Sequence, residues 1–309
     1  MKDAERGATL GLWEAGPVRG ALRLSHAAMA TVFEVHCVHP DARYAGQAAQ
    51  AAFEVVDRLE QELSRFVGNS DIARINGLTA GESTRVSPST MECLEIARAL
   101  YELTGRAFDV SIGSGLDGLE LDAGGFTVRA AAAGVRLDLG GIGKGYAVDR
   151  MAEVMEEWEI PRALVHGGFS SVLALEPPPD RDGWPVTLST PEGREVFARL
   201  SARRLAFSAS GTQKGAHILD PRTGRPVRGR AAWASLARPA GPEAGTAAPE
   251  AARSAAVIAE GLSTAFMILP VDDVTALCER CPGLEAWLLR EAEEGRDAAS
   301  LIHLSSPRG

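Results

Sequence analysis

Lys144 stands inside a cluster of glycines in the run Arg136–Asp149, RLDLGGIGKGYAVD, which also carries Asp138. A buried carboxylate, backbone N–H groups free of side chains and a mobile cation, set ahead of a helix start, suit a phosphate-bearing ligand. The run is not a Walker loop. Gly145 follows Lys144 where that loop needs Ser or Thr, and Asp138 holds the leading glycine position. Nor is it a dinucleotide fingerprint, because Tyr146 stands where the third glycine belongs. A tight strand-to-helix turn would explain the glycines alone. A lysine among them has no packing role, and this favours a phosphate nest.

Three further constellations carry chemistry. In Thr104–Gly113, TGRAFDVSIG, Asp109 is placed to anchor a ligand hydroxyl or ring nitrogen, or simply to cap its own turn. In Ser208–Val227, His217 follows a Ser/Gly-rich loop and precedes the rigid Asp220–Pro226 turn, a setting that suits a proton acceptor. In Ala259–Leu269, AEGLSTAFMIL, Glu260 and Thr264 are four residues apart and share one helix face. A carboxylate and a hydroxyl so placed can hold a hard cation such as magnesium. The plain alternative is a helical threonine bonded to its own backbone.

These residues must be positioned by alternating helices and strands. Apolar spacing predicts helices over Ala45–Phe66, over Pro88–Leu103 with Ser87 as its cap, and after the glycine run. Strands are expected at Leu22–Leu24, Val32–Val38, Ala163–Val165, Val172–Leu175, Pro185–Leu188, Val196–Leu200, Ala206–Ser208 and His217–Leu219. In the second of these, Val32, Glu34 and His36 alternate with Phe33, Val35 and Cys37. Arg238–Ala252 reads as a surface loop insertion, and Ser254–Leu269 has helical character. Glu285–Leu289 and Ser300–Leu304 look like a closing hairpin. Many sequential strands among helices favour α+β over a doubly wound parallel sheet.

With 45% hydrophobic and 24% charged residues among 309, the chain is an ordinary globular one with room for a large core. A net charge of -9 excludes a general nucleic-acid footprint. No transmembrane stretch, secretory apolar region or lipobox-like cysteine is present, so a cytoplasmic location is the expectation for the chain as written. Cys278 and Cys281 form a lone C-x-x-C with no partner pair at metal spacing, which favours two helix-end thiols.

Taken in order, these segments resemble the FAD:protein FMN transferase (ApbE) family from about Met29 to Leu304. Met29-Ala30-Thr31 resembles the family's Met-Gly-Thr, and Leu63–Asn76 resembles its helix end and Ser-x-x-x-x-x-Asn segment. Ala107-Phe108-Asp109 matches Gly-Ala-Phe-Asp, and Leu137–Asp149 matches Leu-Asp-Leu-Gly…Lys-Gly-Tyr-Ala-Val-Asp. Ala163–Gly168 is similar to the strand leading to a Gly-Gly pair, and His217–Pro226 matches His-Ile-x-Asp-Pro-x-Thr-Gly-x-Pro. The resemblance implies a T-fold-like α+β domain, over residues 21–305 after an N-terminal extension. It also implies FAD and magnesium binding, with FMN transferred to a threonine of an acceptor flavoprotein and AMP released. Hydrolysis of FAD to FMN and AMP, or flavin binding without turnover, are the alternatives. By the same resemblance Met29, Phe66, Ala107, Phe108, Asp109, Asp138, Lys144 and Ile218 contact FAD. Gly141, through its carbonyl, holds magnesium with Glu260, Ser263 and Thr264. Lys144 offsets phosphate charge, and His217 is the candidate to take the acceptor proton. Glu260 stands where the family has aspartate.

Overall fold

In a computed structural model the structure describes residues 18, 20–168, 170–189, 196–211, 218–239, 254–290 and 300–305. The chain opens with β1 (Leu22–Ala28) and β2 (Thr31–Cys37), followed by α1 (Ala42–Leu63) and α2 (Asp71–Asn76). Next come β3 (Ser83–Arg85), α3 (Pro88–Leu103), β4 (Leu119–Asp122), β5 (Thr127–Ala130) and α4 (Gly143–Glu157). Five strands follow: β6 (Ala163–Gly167), β7 (Ser171–Ala174), β8 (Trp184–Ser189), β9 (Val196–Ala202) and β10 (Leu205–Gly211). The short β11 (Leu219–Asp220) and β12 (Arg225–Pro226) precede β13 (Arg230–Ala237). The chain closes with α5 (Ala255–Phe266), α6 (Val271–Arg280), β14 (Leu284–Arg290) and β15 (Ser300–Ser305).

Eight strands form one sheet in the order β1-β2-β6-β7-β10-β13-β14-β15, and every neighbouring pair is antiparallel. The architecture is therefore the expected α+β. The expected closing hairpin is present as β14–β15.

Alternation along the strands separates two cores. Phe33, Val35 and Cys37 of β2, Val165 of β6 and Ala206 of β10 face a layer in which α1 packs on α4, α4 on α5, and α5 on β10 and β13. On the other face the β8–β9 hairpin covers Phe207, Ala209, Trp233 and Trp287 with Trp184, Val186 and Leu188. Trp184 is fully buried, and burial of a large apolar side chain of this kind contributes about 1.5–3 kcal/mol.

Local chemistry sets the helix ends. Asp41 accepts from the Arg43 and Tyr44 N–H groups, so α1 starts at Ala42, ahead of the expected Ala45. It ends at Leu63, because Ser64 turns extended. Ser87 accepts from the Thr90 N–H with Pro88 in the first turn, as expected for α3. Cys278 is buried in α6 and Cys281 follows its end, both as free thiols. Met29 and Ala30 connect β1 to β2 at φ +49° and +55°, the left-handed pair that a two-residue hairpin demands.

The long connections bring the chemistry together. The β2–β6 connection carries α1 to α4 and the small sheet β3-β5-β4. The β13–β14 connection carries α5 and α6. Among the described residues, no helix is long and apolar enough to cross a membrane. Most of the 238–252 segment and His217 lie outside the described residues.

Candidate functional site at the α4–α5 crossing

Residues 135–138, which lead into the turn of the glycine run, are not in a strand. Leu137 is held instead by Asn76, whose side chain accepts from the Leu137 N–H at 2.6 Å and donates to the Leu137 carbonyl at 3.0 Å. The Asp138 N–H donates to the Val110 carbonyl at 2.8 Å, which ties the run to the segment after Asp109. Asp138 then accepts from the Gly140 N–H at 2.9 Å and caps the short turn Leu139–Gly141. Its carboxylate is only partly buried, 3.2 Å from the Arg65 guanidinium. The fully buried aspartate of the run is Asp149.

Lys144 lies in the first turn of α4, and its ammonium pairs with the Glu260 carboxylate. The other Glu260 oxygen accepts from the Gly145 N–H at 2.6 Å. Glu260 thus sits, buried, against the N-terminal turn of α4, where the helix dipole favours an anion. The approach requires a glycine at 145, because a Cβ there would stand 2.5 Å from the Ala256 carbonyl oxygen. Lys144 is therefore not a free cation of the nest but is held by a carboxylate 116 residues away.

One turn further along α5, Ser263 and Thr264 both donate to the Glu260 carbonyl, at 2.9 and 3.2 Å. The plain helical role of Thr264 is therefore present. It does not exhaust these hydroxyls, since Ser210 of β10 lies 2.9 Å from the Ser263 oxygen and 3.2 Å from that of Thr264. Gly141 adjoins them: a Cβ on it would stand 4.0 Å from the Thr264 hydroxyl and 3.3 Å from the Phe108 ring. Glu260, Ser263 and Thr264 thus lie on adjoining turns of α5 with Gly141 beside Thr264, and the Glu260 carboxylate is turned to Lys144 and the Gly145 N–H. Their donors are carboxylate, hydroxyl and carbonyl oxygens, the class a magnesium ion takes. This donor set fits the ion once Lys144 gives up its hold on Glu260.

The expected FAD contacts divide. Phe108 and Ala107 are buried beside this cluster's own core. Asp109 accepts from the Ser111 N–H and hydroxyl and from the Gly113 N–H, so its carboxylate caps its own loop. Gly113 in turn approaches Pro221, where a Cβ would stand 2.8 Å from the carbonyl oxygen. This brings the Asp109 loop against the turn that follows Ile218. Ile218 is buried, with its carbonyl accepting from the Val227 N–H. Phe66 is 83% exposed under the Arg65 guanidinium, 4.6 Å from the ring centre. Met29 stands at the β1–β2 turn, with Thr31 close against Gly168 at the end of β6.

Four positioning residues escape sequence reasoning. Arg65, Asn76, Asp149 and Ser210 act through partners distant in sequence; Asn76 closes the Ser70-to-Asn76 segment and Asp149 closes the glycine run, but neither pattern names the partner. Asp149 accepts from the Ala256 and Val257 N–H groups at 3.0 and 2.8 Å and so caps α5, the helix that carries Glu260. Burial pushes its carboxyl up to about 7 from an ordinary 3.8, against the pull of those two N–H groups. The folded chain therefore holds a proton there that the unfolded chain has lost, and stability falls as pH rises from about 4 to 7. Asp149→Asn should remove that slope and leave one α5 N–H facing an amide NH2, at a cost of about 1–3 kcal/mol. Urea midpoints of both proteins across pH 4–8 check this. Identical slopes would exclude Asp149 as the source.

The chain matches the model of the ApbE family over residues 29–126 and 114–288. It is 23% identical to the FAD:protein FMN transferase of Salmonella typhimurium, over 86% of this chain and 83% of that one. It is also 23% identical to the corresponding Vibrio cholerae protein, over 68% and 74%. The solved flavin transferase ApbE of Vibrio cholerae superposes with a TM-score of 0.77 at 20% identity, covering 93% of this chain and 98% of that one. The ApbE protein of Thermotoga maritima gives a TM-score of 0.74 at 23% identity, over 92% and 97%. With a model match running through most of its length and the fold to go with it, this chain belongs to the ApbE family.

Proposed function

We propose that this protein is a magnesium-dependent FAD:protein FMN transferase. The observation that carries the proposal is the convergence of Lys144, Glu260, Ser263, Thr264 and Gly141 at one helix crossing, in a chain of this family. The threonine oxygen of an acceptor flavoprotein forms a bond to the FMN-side phosphorus of FAD. The bond from that phosphorus to the bridging oxygen breaks, and AMP leaves with the electron pair. Such transfers depend on positioning and charge neutralisation more than on covalent help from the protein.

The Gly141 carbonyl, Glu260, Ser263 and Thr264 would hold magnesium, which when bound neutralises diphosphate charge. Lys144, released from Glu260, turns its ammonium to the phosphates. Asp138 and Asp109 keep the two loops of the pocket closed on their own N–H groups. The exposed Phe66 ring offers a stacking face for a flavin or adenine, and Met29, Ala107, Phe108 and Ile218 supply apolar walls. His217 takes the threonine proton in this scheme.

Purified protein incubated with FAD and Mg²⁺ should release AMP only when a threonine-bearing acceptor domain is added, with FMN appearing on the acceptor. AMP release without acceptor would identify a pyrophosphatase instead. Bound FAD with no AMP under either condition would identify a flavin-binding protein.

A further inference from the structure

The sheet face turned away from α1, α4 and α5 carries a cluster that the transferase chemistry does not use. Glu34 and His36 of β2 and His166 of β6 are all buried there. One ligand atom from each lies within 4.8 Å of the others. We propose that Glu34, His36 and His166 form a separate structural site for a divalent transition ion of the zinc class. The ion is bound through Glu34 Oε2, His36 Nε2 and His166 Nε2.

Three observations carry it. Glu34 Oε2 lies 3.0 Å from His36 Nε2 and 3.1 Å from His166 Nε2. Zinc bonds of about 2.0–2.1 Å in tetrahedral geometry put neighbouring ligand atoms roughly 3.3 Å apart, so small side-chain shifts admit the ion.

The same oxygen also accepts from Arg23 Nε at 2.7 Å. Three nitrogens therefore converge on one carboxylate oxygen, which has two lone pairs. Arg23 also donates to Oε1 at 2.6 Å and its side chain is 62% exposed, so it can keep Oε1 and release Oε2.

Finally, His166 Nδ1 lies 3.0 Å from the Gly168 carbonyl oxygen. A carbonyl only accepts, so Nδ1 carries the hydrogen, and in the neutral ring Nε2 then aims a lone pair at the carboxylate. A cation between them resolves that opposition and keeps the Nδ1 contact as the outer-shell bond that orients a metal-binding histidine. A second proton on the ring is the competing solution. The ion would clamp β2 to β6 and steady the Gly167–Gly168 turn, on the opposite sheet face from Glu260.

The test uses tag-free, full-length protein stripped with chelator, and does not depend on transferase activity. Cobalt(II) should bind in one equivalent with the visible d–d bands of a four-coordinate site, a water completing the three protein ligands. Zinc should displace it and raise the melting temperature. His166→Ala and Glu34→Gln should each weaken binding by more than the roughly 10–100-fold that loss of an outer-shell partner costs. His36→Gln serves if either variant fails to fold. Arg23→Ala should bind as tightly or more tightly.

Absence of both the bands and the thermal shift in the wild-type protein would overturn the site. So would bands that survive the ligand variants, or thiolate charge-transfer bands that vanish in Cys278→Ser. A His166 ring that stays doubly protonated by NMR at neutral pH with zinc in excess would overturn it too.

Discussion

Glu260→Ala is expected to abolish magnesium-dependent AMP release while FAD binding persists. A bound metal supplies several kcal/mol of charge stabilisation to a transferring phosphoryl group, which corresponds to about 10³-fold or more in rate. Glu260 is the one carboxylate among the four proposed ligands, so its loss removes all of their formal charge. The substitution also strands the Gly145 N–H in a buried place, at about 1–3 kcal/mol. A purely structural role would therefore show as a lower melting temperature with unchanged dependence on magnesium. The measurement is AMP release as a function of Mg²⁺ concentration, beside flavin binding by fluorescence and folding by circular dichroism. Wild-type turnover at wild-type magnesium requirement would remove Glu260 from the metal site.

Gly145→Ala carries the largest expected effect on stability. The added Cβ would meet the Ala256 carbonyl oxygen at 2.5 Å, and both the Ala256 carbonyl carbon and Val257 Cα at 2.8 Å. All three are backbone atoms of α5, which cannot rotate away as a side chain can. The helices must separate, and overpacking of this kind costs about 1–3 kcal/mol, occasionally more. Alanine's better helix propensity returns at most about 1 kcal/mol. Gly143, two residues earlier in the same helix, is the control. A Cβ there meets nothing within 4 Å, so Gly143→Ala should be neutral or slightly stabilising. Equal urea midpoints for the two variants would refute the close-crossing argument.

Much of this fold is legible because its signals are local. Ser87 and Pro88 mark the start of α3 to the residue, and the alternation of β2 separates its two faces. The small sheet β3-β5-β4 is not legible, because strands of three or four residues are too short to show a period. Helix α6 shows only at its end, through the helix-end thiols Cys278 and Cys281, because its ten residues hold just three buried positions, Val274, Leu277 and Cys278.

The site divides along the same line. The glycine run and the Glu260–Thr264 spacing pick out the two segments that meet at the α4–α5 crossing. The ion pair of Lys144 with Glu260 and the capping of α5 by Asp149 join residues more than a hundred positions apart, and no local pattern encodes them. The buried place of Glu34 and His36 is equally invisible, since alternation alone does not tell a second covered face from a solvent face.

Strand β10 holds Phe207 and Ala209 against the hairpin and Ser208 and Ser210 against α5. A slip of one residue in its pairing with β7 or β13 would send the aromatic into the hydroxyl cluster and the hydroxyls into the apolar layer. Misregistered chains would thus lose a core and the hydroxyl contacts of Ser210 with α5 in the same event. The sheet acts as its own proofreader, since a chain that has folded at all has its Ser210 hydroxyl in place.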